Sequence, residues 1–138
     1  MAHITEAIGT YSQLIAKAAL HANGWIVAET ETTESFDFVA KDPLTGEWKT
    51  FQCKTIRRRA DRNNELVIYA TKGDGKTRYS KSDADYIIGV LGSEGELPRI
   101  FFFENEGLSE YWATEARASK RWVELSLAFN REIYEEAV

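Results

Sequence analysis

Hydrophobic positions change period several times along the chain, and each change marks an element. Ile4, Ile8, Tyr11, Ile15, Ala18 and Ala22 recur at spacings of three and four residues, with Thr5 placed to cap and Asn23-Gly24 to stop. That pattern predicts an amphipathic first helix whose apolar stripe faces a core. The period then falls to two. Trp25 to Ala28, Phe36 to Ala40 and Trp48 to Ile56 read as strands rich in aromatic and β-branched residues. In the last of these, alternation sets Phe51 and Cys53 against Gln52 and Lys54. Arg57 to Asn64 reads as a charged loop or frayed strand end, and Leu66 to Ala70 as a further strand followed by a glycine-bearing turn at Lys72 to Lys76. Ser80 to Asp85 suggests a helical turn. Tyr86 to Leu91 and Ile100 to Phe103 are continuous apolar runs, which belong in a sheet covered on both faces. In the C-terminal third two periods overlap: a helix fits from about Ala118, and Val123-Leu125-Leu127 alternates like a strand. Helix is expected for Ser126 to Ala137.

The turn Asp42-Pro43-Leu44-Thr45-Gly46 joins the second and third strands. If it closes symmetrically, with Leu44-Thr45 at the tip or Pro43 to Gly46 as a four-residue loop, each cross-strand pair sums to about 89 and Asp37 opposes Gln52. Opposed residues have Cβ atoms roughly 5 Å apart on one face, and alternation adds Lys54 to that face. A carboxylate, an amide oxygen and an ammonium then meet at one place. Such a set suits metal-assisted phosphodiester hydrolysis, in which oxygen ligands hold a hard cation and a lysine stabilises an attacking hydroxide or the charge on phosphorus.

Phe36-Asp37 followed by Gln52-Cys53-Lys54, within about Gly9 to Leu91, resembles the PD-(D/E)XK nuclease superfamily, nearest to its small prokaryotic endonuclease-like and Holliday-junction-resolvase-like members. Phe36 stands where the pattern has Pro, and Gln52 where it has Asp or Glu, which removes one charge from the metal site. The resemblance implies an α/β fold with a restriction-endonuclease-like core, a mixed central sheet flanked by helices. It implies a Mg2+-dependent endonuclease acting on DNA, with Mn2+ able to substitute and branched DNA among the substrates. Asp37, Gln52, Lys54 and Gln13 are the implied catalytic residues. Asp37, Gln52 and the Cys53 backbone carbonyl are the implied metal ligands, with Glu6 as the alternative ligand from the helix. A protein that keeps the fold for nucleic-acid binding or assembly without catalysis is the alternative function.

With 138 residues, 43% hydrophobic, the chain suits one domain, residues 1–138, with an acidic and aromatic extension from about residue 104. No apolar run is long enough for a bilayer and no leader-like pattern opens the chain, so a cytoplasmic protein without a membrane partner is expected. Cys53 is the only cysteine, which excludes an intramolecular disulfide, and it reads as a small buried hydrophobe. His3 and His21 lack metal-ligand spacing. A net charge of −5 argues against a polyanionic partner until its distribution is considered. Residues 49–81 hold 10 Lys and Arg against 3 Asp and Glu, a local +7 beside the candidate site. Arg57, Arg58, Arg59, Arg62, Lys72, Lys76 and Arg78 are therefore candidate phosphate contacts. Tyr69 and Tyr79 are candidate stacking residues, the tryptophans read as core, and Asp83 and Asp85 as helix caps. A homodimer is compatible with the acidic C-terminal part.

Overall fold

The computed structural model describes residues 1–136. In chain order the elements are α1 (Ile4–Ala22), β1 (Ile26–Ala28), β2 (Phe38–Lys41), β3 (Trp48–Thr55), β4 (Arg57–Arg59), β5 (Glu65–Tyr69), β6 (Tyr86–Leu91), β7 (Arg99–Glu104), β8 (Glu110–Ala113), α2 (Ala118–Arg121), β9 (Val123–Leu125) and α3 (Arg131–Glu136). A six-stranded mixed sheet runs β1-β2-β3-β6-β7-β9, and a three-stranded antiparallel sheet runs β4-β5-β8. Among the described residues only β3 and β6 pair in parallel, Gln52 beside Ile87 and Lys54 beside Gly89. The expected mixed α/β sheet is present.

Each face of the large sheet has its own core. On one face Phe38, Phe51, Cys53, Ile88, Val90 and Ile100 pack under α1, joined by Ala16, Ala19 and Leu20 from the helix. The other face sends Ile87, Leu91 and Phe101 against Leu66, Ile68 and Tyr111 of the small sheet and against Trp122. The continuous apolar character of β6 is a result of this double coverage. Asn105, 5% exposed, is the polar pin of the second layer: its side-chain amide donates to the Ser80 and Ala84 carbonyls, and its oxygen accepts from Gly107 N–H and the Tyr111 hydroxyl.

Several expectations are corrected. His3, not Thr5, caps α1, its Nδ1 accepting the Thr5 N–H at 3.1 Å. The helix buries Ser12, Ala16, Ala19 and Leu20, whereas Ile4, Ile8 and Tyr11 are 69%, 44% and 44% exposed. Small residues let the helix lie close on the sheet, so the bulkier stripe is turned outward. Residues 57–59 are a strand, because Ile56 is buried in the second core and holds the three arginines beside β5. Residues 81–83 form turns, not helix. Strand β8 was hidden by its polar surroundings. Val123–Leu125 is a strand at the sheet edge, and the expected Ser126 to Ala137 helix is confined to Arg131–Glu136, with Ala137 outside the described residues. Trp25 and Trp122 are core, but Trp48 and Trp112 are 50% and 40% exposed.

The two layers meet most tightly at Gly89. A Cβ there would lie 2.8 Å from both Ile56 Cγ1 and Ile68 Cδ1. Gly89→Ala is expected to destabilise the protein by about 1–3 kcal/mol through overpacking. Urea unfolding checks this.

Candidate functional site

The hairpin closes with the register expected from its turn. Phe38 opposes Phe51 and Lys41 opposes Trp48, while Asp42 N–H donates to Glu47 O at 2.8 Å around a Pro43 to Gly46 loop. An Asx bond from Leu44 N–H to Asp42 Oδ1 and a positive φ at Gly46 shape that loop. Regular pairing ends at Phe38. Asp37 N–H donates to Phe51 O at 2.9 Å, and Asp37 Oδ2 accepts the Cys53 N–H at 2.7 Å. The carboxylate thus occupies the ladder position that β2 vacates, and Asp37 spans Gln52 where a simple cross-strand pair was expected.

The result is a notch in the edge of β3. A strand residue points its N–H and C=O to the same side, so the Cys53 carbonyl opens into the notch beside the carboxylate. Gln52 is only 8% exposed, and its side chain makes no hydrogen bond among the described residues. The one wholly buried side-chain nitrogen or oxygen without a partner among those residues is Arg58 Nε, so the Gln52 amide atoms keep some contact with solvent. On β3, Lys54 Nζ donates to Thr71 O at 3.2 Å and to the Tyr79 hydroxyl at 3.4 Å, and lies 4.8 Å from the Tyr79 ring centroid. Burial pulls the Lys54 ammonium below its usual range, opposed by the Asp37 charge. Burial likewise lifts the Asp37 carboxyl, against the Cys53 N–H, Lys54 and Lys17. Among the described residues no ion pair within 4.0 Å joins Asp37 and Lys54. Two opposite charges are desolvated at one notch yet held apart. The Cys53 thiol, pushed up to about 12 by burial, is inert.

Helix α1 borders the notch through a different side. Ser12 Oγ and Thr55 Oγ1 lie 2.8 Å apart, and Lys17 sits 5.6 Å from the Phe38 ring centroid while pairing with Glu29. Gln13, half-buried and one turn before Lys17, belongs to this flank. Glu6 is exposed two turns further out. Lys17, Tyr79 and Thr71 were missed as neighbours of the site; only the pairing of distant segments brings them there. Asp83 and Asp85 do not cap helices. Asp83 accepts the Ser80 N–H and pairs with Lys72, whereas Asp85 Oδ2 accepts from the Thr50 N–H and hydroxyl, fastening β6 to β3.

No family model matches the chain, and no curated protein sequence matches it. Among solved structures it is similar to a bacterial homing endonuclease, I-Ssp6803I, with a TM-score of 0.63 over 80% of this chain and 78% of that one, at 18% identity. The fold is nuclease-like.

Within this nuclease-like fold the seven basic candidates divide. Arg58 is held by Glu115 at 2.6 Å, Glu96 at 3.6 Å and Ser93 Oγ at 2.8 Å. Arg59 pairs with Asp61, Arg62 with Glu65 and Glu110, and Lys72 with Asp83. Arg57, Lys76 and Arg78 are exposed and have no ion pair among the described residues. Tyr79 is buried beneath Lys54 and Lys72 and offers no free stacking face, whereas half-buried Tyr69 lies near the Arg57 and Arg59 guanidinium groups, 5.9 and 6.0 Å from its ring centroid.

Because the folded-state value of Asp37 is raised above 3.8, the group favours folding at low pH, and that contribution is lost as pH rises through the raised value. At neutral pH the ionised carboxylate opposes folding. Asp37→Asn keeps an acceptor for the Cys53 N–H and is expected to raise stability at pH 7 by on the order of 1 kcal/mol. Urea midpoints of the two proteins should converge towards about pH 3.

Proposed function

We propose that this chain is a divalent-cation-dependent endonuclease acting on DNA, of the PD-(D/E)XK kind with Gln52 in an acidic position. The observation that carries it is the notch, where Asp37 and Lys54 are desolvated side by side without neutralising each other. A site built for stability alone would close that pair. Asp37, the Cys53 carbonyl and the Gln52 amide form a hard oxygen donor set suited to Mg2+, with Mn2+ as a substitute and Gln13 of α1 as the candidate helix residue. Among the described residues no three His, Cys, Asp or Glu side chains converge, so a single carboxylate must anchor the ion and binding without DNA is weak. When bound, such an ion supplies Lewis-acid charge at the phosphate and a more acidic water. Lys54, fixed by Thr71 O and Tyr79, presents its ammonium to a non-bridging phosphate oxygen or to the attacking hydroxide, and partial burial strengthens that charge. The Asp37 carboxylate, fixed at one oxygen by the Cys53 N–H, keeps its second oxygen for the ion. The same single-carboxylate set also favours a second reading, a DNA-binding protein that has lost cleavage.

Cleavage of linear duplex, single-stranded and four-way DNA with Mg2+ separates the two. The endonuclease reading expects cutting by the parent, loss of detectable cutting in Asp37→Asn and Lys54→Ala, and DNA affinity altered less than about tenfold, because one phosphate contact is a small share of binding. Binding without cutting on every substrate establishes the second reading. Gln52→Glu is expected to tighten Mg2+ or Mn2+ binding in calorimetry by adding a second carboxylate.

Of the basic segment, Arg57, Lys76 and Arg78 are the free phosphate-binding cations under this proposal. Replacing all three by Ala should reduce the log–log salt slope of duplex binding by roughly 2–3, about 0.9 for each phosphate no longer neutralised. Arg58→Ala, which removes the partner of Glu115, is expected to lower stability and leave the slope unchanged. Fluorescence anisotropy across a salt series reads both slopes, and urea unfolding reads the stability.

A further inference from the structure

Residues 116–122 interrupt the acidic third with three cations and no carboxylate: Arg117, Lys120 and Arg121. The core fixes how they project. Ala118, 0% exposed, and Trp122, 5% exposed, anchor α2 in the second core, where Trp122 stacks on Phe103 with ring centroids 5.2 Å apart. Arg117 and Arg121, four residues apart, share a side of this short segment away from that anchor, with Lys120 beside them. All three are exposed, and none makes an ion pair within 4.0 Å among the described residues. Against them lies Trp112, 40% exposed, with the Arg121 guanidinium 4.4 Å from its ring centroid.

Trp112 belongs to the outward face of the small sheet. Register sets it opposite Val67, which is opposite Arg57, and alternation adds Tyr69 to that face, while Leu66, Ile68, Tyr111 and Ala113 turn into the core. Trp112 and Arg121 together separate two hollows. One, of about 570 Å³, has Glu104, Glu106 and Glu110 in its wall; the other, of about 670 Å³, is lined by Trp112, Ala113, Thr114, Arg117, Lys120 and Arg121 and carries no carboxylate. An anion is admitted on one side of the ridge and repelled on the other.

We infer that the cationic hollow is a docking site for an unpaired stretch of DNA, with a base stacked against the Trp112–Arg121 pair and adjacent phosphates neutralised by Arg117 and Lys120. This rests on the DNA-binding reading proposed above and adds to it a preference for single strands. An exposed indole, a guanidinium plane and unpaired cations are the chemistry that holds a single strand, since every base has a π-face and every linkage a charge. Duplex DNA offers the charges but keeps its base faces inside the stack. The hollow is also near the notch. Arg57 follows Lys54 by three residues and Trp112 lies two strand spacings from Arg57, so Trp112 is at most about 20 Å from Lys54, Cα to Cα.

Fluorescence anisotropy with a labelled single-stranded oligonucleotide and its matching duplex tests this on the full chain. Trp112→Ala is expected to weaken single-strand binding at least about fivefold more than duplex binding, the low end for losing one stacked base. Trp112→Phe keeps a ring and should stay within about threefold of the parent. Replacing Arg117 and Lys120 by Ala should lower the log–log salt slope for single strands by about 1.4, roughly 0.7 for each phosphate. That double variant changes only exposed side chains, so it decides the matter if circular dichroism shows Trp112→Ala unfolded. Folded variants that bind single strands with the parent's affinity and slope, or a loss in Trp112→Ala as large on duplex as on single strands, would overturn the inference and leave the endonuclease reading, judged by cleavage, in place. A parent that binds neither form of DNA would overturn both.

Discussion

The hydrogen bond from Cys53 N–H to the Asp37 carboxylate decides how this chain becomes a site as well as a fold. Strand β2 pairs with β3 only as far as Phe51, and without a substitute partner the Cys53 amide would be left unpaired at a largely buried edge. Asp37 fills that position with a side chain. In doing so it brings a charge into a partly dry place and leaves the neighbouring carbonyl facing the same opening. Lys54, one residue on in β3, is held by Thr71 and Tyr79. The site is therefore a defect in sheet pairing, stabilised by the two cores on either side.

Much of this is legible in the residues themselves, for identifiable reasons. The Asp42 to Gly46 turn fixes hairpin register, and register brings Asp37 to the Gln52-Cys53-Lys54 stretch, where its carboxylate accepts the Cys53 N–H in place of the cross-strand pair with Gln52 that alternation suggested. The apolar runs at 86–91 and 100–103 announce a doubly covered sheet because no exposed strand tolerates them. The inferences that failed depend on which of two surfaces a residue meets. The bulky apolar stripe of α1 at Ile4, Ile8 and Tyr11 looks like a core face, yet the sheet selected the flatter Ser12-Ala16-Ala19 side. Strand β8 escaped notice because half of its residues are not buried, and the short strand at 123–125 was outweighed by helical spacing.

Charge was legible in amount and misleading in detail. The +7 stretch exists, but four of its seven candidate cations are tied to acids, among them Glu96, Glu110 and Glu115 of the acidic third, that no local pattern could pair with them. The acidic third thus serves partly to hold the basic segment in place. Arg57, Lys76 and Arg78 remain as the free cations of the seven, and they flank the segments that deliver Lys54 and Thr71.

Paramagnetic broadening of backbone amide resonances by Mn2+ tests the notch most directly. If Asp37, Gln52 and the Cys53 carbonyl receive the ion, substoichiometric Mn2+ broadens the amides of Asp37, Gln52, Cys53 and Lys54 first, and Asp37→Asn abolishes that pattern while the fold persists. Broadening centred instead on the carboxylates of the acidic third, or unchanged by Asp37→Asn, would contradict the account.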